Sequence, residues 1–234
     1  MDIQKAKNEL RKYSSPEKAE ALSRFFKTGP GEYGEGDVFI GVRVPEIRRV
    51  ASLFQYLPLS DVLQLMYSSI HEERLFALLL LVQRYKAGVS QKAVVETYLQ
   101  NKARVNNWDL VDLSAPLILG DWLKSSSSRG RWLNPLVRSK SLWDRRIAIV
   151  STHAFIREGD FSETLRIAGM LIQDPEDLIH KATGWMLREV GKRDEQALEG
   201  FLQLRCTAMP RTMLRYAIER LEEKKRRAYL QKDK

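Results

Sequence analysis

EERLFALLLL at 72–81, NWDLVDLSAP at 107–116, WDRRIAIVST at 143–152 and IHKATGWMLR at 179–188 read as four versions of one segment. Taking Arg74, Asp109, Arg145 and Lys181 as equivalent positions spaces the copies about 35 to 36 residues apart; Ala77, Asp112, Ala148 and Gly184 follow three places later in each. A period of that length is one two-helix solenoid unit. Helical spacing of apolar residues dominates the chain and strand-like alternation is almost absent, so the sequence predicts an all-α fold, an alpha-alpha superhelix of two-helix repeats. Ser60, Ser90, Ser141 and Ser162 stand where helix N-caps belong, and Asp174-Pro175 pairs a capping side chain with a first-turn proline. Gly88 and Gly159 stand where C-terminal caps fall. These marks imply around ten or more helices with short connections.

Working outward, one stretch departs from the pattern. TGPGEYGEGD, residues 28–37, cannot continue a helix and reads as an insertion, either a DNA-contacting arm or a long surface connection, the second being the better supported. Val38–Val42 after it is expected to be extended, with Pro45 opening the next helix. The whole of residues 1–234 is otherwise expected to form a single repeat domain.

Composition narrows the function. With 44% hydrophobic and 29% charged residues the chain is a folded globular protein. The longest apolar run, Leu75–Val82, is far too short to cross a bilayer, and the N-terminus lacks the apolar centre of a secretory signal, so a cytoplasmic protein without membrane attachment is expected. Cys206 is the sole cysteine and reads as a buried thiol. His71, His153 and His180 lie in different repeats with no metal-ligand spacing, so structural roles and no metal are expected. Phosphate-loop, dinucleotide and acyl-transfer motifs are missing, and no cofactor is expected. A net charge of +9 favours a polyanionic partner, though a basic surface also serves solubility, ribosome contact or an acidic lipid face. From residue 126 onward about 22 Lys and Arg face about 15 Asp and Glu, so the second half carries most of the excess. The C-terminal run EEKKRRAYLQKDK adds to it, as a solvated helix end or a grip on a nucleic-acid backbone.

Asp112 conflicts with its own repeat. A carboxylate where the other copies place Ala77, Ala148 and Gly184 costs free energy unless it is solvated or paired, and such conflicts mark function. Trp108 lies four residues earlier and so on the same helical face. On spacing alone the pair reads more readily as a core indole and an arginine-paired acid than as a ligand site. Arg145 shares the phase of Arg74 and Lys181 and reads as structural, which leaves its neighbour Arg146, about 100° around the helix, as the candidate phosphate ligand. The phases of Trp108, Asp112, Arg146 and Trp185 span too wide an arc for one narrow stripe.

At NNWDLVDLSAPLILGDWL, LWDRRIAI and HKATGWMLRE the chain resembles the AlkD family of bacterial DNA glycosylases, HEAT-like repeat proteins that excise alkylated purines, from SPEKAEALSRFF near residue 15 to the end. The resemblance implies catalytic roles for Trp108, Asp112, Arg146 and Trp185, and DNA contacts from Arg146, Lys181, Arg188 and Phe25. It also implies a monomer acting on double-stranded DNA that carries alkylated bases, in base excision repair. Alkylation at purine N3 or N7 makes the base cationic, so the enzyme's main task is to stabilise an oxocarbenium-like sugar and place a water. Such enzymes contact the backbone of the lesion without extruding the base. Two features depart from the family pattern: Phe25 stands where a tyrosine is expected, and the glycine-rich insertion is extra. The insertion resembles a branch in which some members bind unusual DNA structures without excision, which makes a noncatalytic binder of branched or damaged DNA the alternative.

Overall fold

The structure, a computed structural model, describes residues 2–231. The last three residues of the basic C-terminal run, 232–234, lie outside the described residues. The fold is all-α and of the HEAT-like solenoid class. Among the described residues the only β pairing is an isolated parallel bridge between Val38 and Ile70. The chain divides into two compact units, Met1–Ser114 and Ala115–Lys234.

The first unit holds α1 (Ile3–Arg11), α2 (Pro16–Phe25), α3 (Val44–Leu53), α4 (Leu59–Met66), α5 (His71–Lys86), α6 (Gln91–Gln100) and α7 (Trp108–Ser114). Its centre is α5, which packs on α3, α4, α6 and α7. Leu75 through Val82 are all buried, as a helix apolar around its whole circumference must be. More unusual is the start of α5, where His71, Glu72, Glu73 and Arg74 are also buried. Each finds partners. Glu72 accepts the backbone N–H groups of Ile40 (3.1 Å), Gly41 (2.8 Å) and Val42 (3.2 Å). Glu73 pairs with Lys7 at 2.9 Å and Arg11 at 3.4 Å, and both acids sit favourably at the positive end of the helix. Without Glu72 the buried amides of Gly41 and Val42 would go unpaired, at about 1–3 kcal/mol each. The segment after the insertion is therefore held by α5, and Gly41, with a φ of +80°, turns it out of the extended course expected for Val38–Val42.

The second unit opens with a π turn, Pro116–Gly120, followed by α8 (Asp121–Leu123), α9 (Arg129–Val137), α10 (Leu142–Ser151), α11 (His153–Arg157), α12 (Ser162–Met170), α13 (Asp177–Gly191), α14 (Glu195–Arg205), α15 (Arg211–Ala217) and α16 (Glu223–Gln231). Here α13 is central, packed on α10, α12, α14 and α15. A Cβ built on Gly184 would stand 2.5 Å from both the Met213 carbonyl oxygen and Tyr216 Cβ, so the missing side chain is what lets α15 approach. Ala77 and Ala148, at the same phase, are fully buried. Buried Cys206 belongs to the terminal core with Leu198, Leu202, Met209 and Leu214.

The equivalent arginines also act alike. Arg74 donates to the carbonyls of Ser68 (3.0 Å) and Ser69 (3.3 Å), and Arg145 to those of Ser139 and Lys140, both at 3.0 Å. In each repeat the guanidinium closes the loop that leads into its own helix. Arg145 further grips Asp174 with two bonds, of 2.6 and 3.2 Å, in keeping with its structural reading. The caps differ in detail from expectation. Gly88 and Gly159 do follow helices with positive φ, and Ser90 and Ser141 occupy N-cap positions. Ser60 and Ser162 lie just inside their helices. The helix after Asp174-Pro175 begins only at Asp177, because Asp174 caps a preceding turn through the Glu176 N–H at 3.0 Å.

Candidate functional site

In the first unit α7 carries Trp108 and Asp112, both half-buried, one helical turn apart on a shared face. Asp112 is thus not sealed in the core, unlike Ala77 and Ala148 at the same repeat phase. Phe26 lies nearly parallel to the indole of Trp108, with centroids 5.0 Å apart and planes 12° apart, and Phe25 meets it edge-on at 5.9 Å. Phe25 remains 63% exposed. Its apolar edge therefore offers contact area beside Trp108 where a tyrosine would offer a hydroxyl. Beneath this pair the rings continue: Phe39 stacks on Phe26 at 5.0 Å and on His71 at 4.5 Å.

His71 sits in a buried ionic cluster. Its Nδ1 lies 3.0 Å from Asp37 Oδ2 and its Nε2 2.8 Å from Asp109 Oδ2. Asp37 also accepts from Arg74 at 2.5 Å and from Asn107 Nδ2 at 3.2 Å. Burial disfavours the imidazolium, but the hydrogen bonds with Asp109 and Asp37 outweigh it and raise the His71 pKa to about 8. Burial likewise opposes the Asp37 carboxylate; the His71 hydrogen bond and Arg74 win, and its pKa is lowered. The histidine expected to be merely structural is therefore the hub that joins the end of the insertion, α5 and α7. One sign was present in the sequence: Asp109 is acidic at the phase where the other repeats carry Arg74, Arg145 and Lys181. Among the described residues no group of three or more histidine, cysteine or acidic side chains is arranged to hold a metal ion.

The insertion itself folds back on its own backbone. Glu32 accepts the Gly29 N–H and Glu35 the Gly31 N–H, each at 2.9 Å. Its own acids occupy amides that an arm would offer to phosphate, and the exposed carboxylates of Glu32 and Glu35 repel a phosphate backbone. These features favour a structural connection that ends in Asp37.

In the second unit, Lys181, Trp185 and Arg188 share one face of α13 by their spacing and all are half-buried. Lys181 pairs with Asp177 at 2.8 Å, and Arg188 with Glu219 and, at 3.7 Å, Glu189. Trp185 packs against His153 with centroids 5.9 Å apart, and burial lowers the His153 pKa, so that imidazole is neutral at physiological pH. Arg146, on α10, is 5% exposed, and its Nη1 donates to the Leu178 carbonyl at 2.7 Å, one turn before Lys181. Burial and this bond hold the guanidinium against the start of α13. The structure thus groups Phe25, Trp108 and Asp112 in one unit and Arg146, Lys181, Trp185 and Arg188 in the other.

A family model described as "DNA alkylation repair enzyme" matches residues 6–221, nearly the whole chain. The chain belongs to that family. Membership points to DNA as the partner and to alkylation damage as the setting. A solved structure described as a predicted DNA alkylation repair enzyme from Enterococcus faecalis has the same fold, with a TM-score of 0.72 at 20% identity over 90% of this chain and 97% of that one. A comparison with curated proteins returns no significant match. Among the described residues no helix is long and apolar enough to cross a membrane.

Proposed function

We propose that this chain is a monofunctional DNA glycosylase that hydrolyses the N-glycosidic bond of cationic purines such as 7-methylguanine and 3-methyladenine, acting as a monomer on double-stranded DNA. One observation supports it above the others: Asp112 is only half-buried at a repeat position that elsewhere buries a small apolar residue, and it stands one turn from an indole held by Phe26.

The chemistry follows from the substrate. N-alkylation leaves the purine positively charged, so heterolysis of the C1′–N bond returns the electron pair to the base and releases it neutral. Positive charge then develops on the sugar. The Asp112 carboxylate stabilises that charge and orients a water, whose proton it accepts as the oxygen bonds to C1′; the products are free base and an abasic site. Trp108, with Phe25 beside it, packs on the deoxyribose. In the second unit Trp185 contacts the sugar-phosphate backbone, and Arg146, Lys181 and Arg188 supply positive charge to phosphates.

Purified protein is expected to release free base from methylated DNA without added metal. Asp112→Asn is expected to lose release by about 100-fold or more while duplex affinity changes little, since oriented electrostatic stabilisation is commonly of that size. No release by the wild type, together with tighter binding to junctions than to duplex and indifference to Asp112→Asn, identifies the noncatalytic binder instead.

A further inference from the structure

We propose that Asp37 and His71 form a positioning device for α7: their buried hydrogen-bond chain fixes the first turn of that helix and so the direction in which Trp108 and Asp112 point. This rests on the glycosylase reading only for what the positioned residues do.

The geometry carries the argument. The cluster meets α7 at its very start, at Asn107 and Asp109. Two side chains tie its N-terminal end to the cluster. Asp109 Oδ2 meets His71 Nε2 at 2.8 Å while its Oδ1 accepts the Leu110 N–H at 2.8 Å. Asn107 donates to Asp37 at 3.2 Å while its Oδ1 accepts the Trp108 N–H at 2.8 Å. Both connections end on backbone amides of α7. The anchor is equally fixed: Asp37 is held by Arg74, which is bound in turn to the Ser68 and Ser69 carbonyls.

Both ring nitrogens of His71 face carboxylate oxygens. A neutral imidazole has one N–H, so it can satisfy only one of the two acids; both bonds require the doubly protonated ring. Charge balance agrees, because protonated His71 and Arg74 offset Asp37 and Asp109, and Glu72, which also fronts this region, is engaged by the amides of Ile40 to Val42. Loss of the His71 proton puts two lone pairs in opposition at one end of the chain, at Asp37 or at Asp109. The same ring underlies Phe39, Phe39 underlies Phe26, and Phe26 carries Trp108. Movement of His71 therefore reaches the indole by two routes, one polar and one aromatic.

The test uses the full-length protein, with two readouts. Single-turnover base release from 7-methylguanine DNA, followed from about pH 6 to about pH 9, is expected to fall along an alkaline limb with a midpoint near 8, the pKa at which His71 loses its proton. In His71→Gln the limb should vanish and the rate constant drop by roughly 10- to 100-fold, with DNA affinity within about two-fold, because misplacement of a catalytic group weakens chemistry more than binding. Asp37→Asn, which keeps the shape of the carboxylate, should shift the limb to lower pH. Independently of any activity, the Trp108 indole N–H resonance should titrate with the same midpoint in wild type and not in His71→Gln. If the wild type releases no base, the glycosylase reading fails and the resonance still decides the device. A pH-independent Trp108 resonance, or an alkaline limb unchanged in folded His71→Gln, overturns it.

Discussion

Asp109 and Asp112 are three residues apart on one helix, yet their surroundings give them different work. Asp109 is buried against His71, which neutralises it, whereas Asp112 stays half-buried beside Trp108. Without that neutralisation two carboxylates on adjoining turns would repel, and a cationic transition state would be drawn toward the wrong one. The same cluster makes a stability prediction. His71 titrates near 8 in the folded chain against an ordinary 6.5, so the fold binds that proton more tightly than the unfolded chain does. The stabilisation is complete below about pH 6.5 and is lost as pH rises through about 8; its size is about 2 kcal/mol. Asp37, with its pKa lowered, acts at the other end: its contribution is present above the ordinary carboxylate range and is lost on acidification. Urea unfolding of the wild type should therefore show a decline between about pH 6.5 and 8.5 that His71→Gln lacks.

At the scale of the element, the repeat works by placing small residues where helices must touch and arginines where loops must close. Gly184 is one such place, since a Cβ would stand 2.5 Å from a backbone oxygen of α15. Gly184→Ala is expected to push α15 away and cost about 1–3 kcal/mol, measurable as a lower urea midpoint with an unchanged slope. Gly41 is as constrained in the first unit: its φ is +80° and an added Cβ would fall 2.1 Å from the Ser15 carbonyl oxygen. Gly41→Ala should destabilise by roughly 2 kcal/mol or more, and by loosening the segment it should also free Glu72 from the amides it holds. α7 breaks the repeat rule because it serves two ends, with its first turn clamped to α5 and the insertion while the next turn carries Asp112.

For the whole molecule, the +9 charge and membership in a DNA alkylation repair family lead to a salt prediction. Duplex affinity should fall by about 10³-fold or more between roughly 50 and 200 mM salt, as for proteins with six or more phosphate contacts. Filter binding across that range checks it, and a flat response would point to a protein partner. Much of this molecule was written along the chain itself. The 35 to 36 residue period placed Arg74 and Arg145 in equivalent roles, marked Ala77, Ala148 and Gly184 as packing positions and singled out Asp112 as the exception. Such features are legible because they recur locally, at the spacing of a helix turn or of a repeat. Only the tertiary structure decided that Asp37, His71 and Asp109 share a buried chain of hydrogen bonds, since they lie 34 and 38 residues apart. An ionic contact made once, between a loop and two helices, has no period to betray it; it exists only when folding removes its partners from water together.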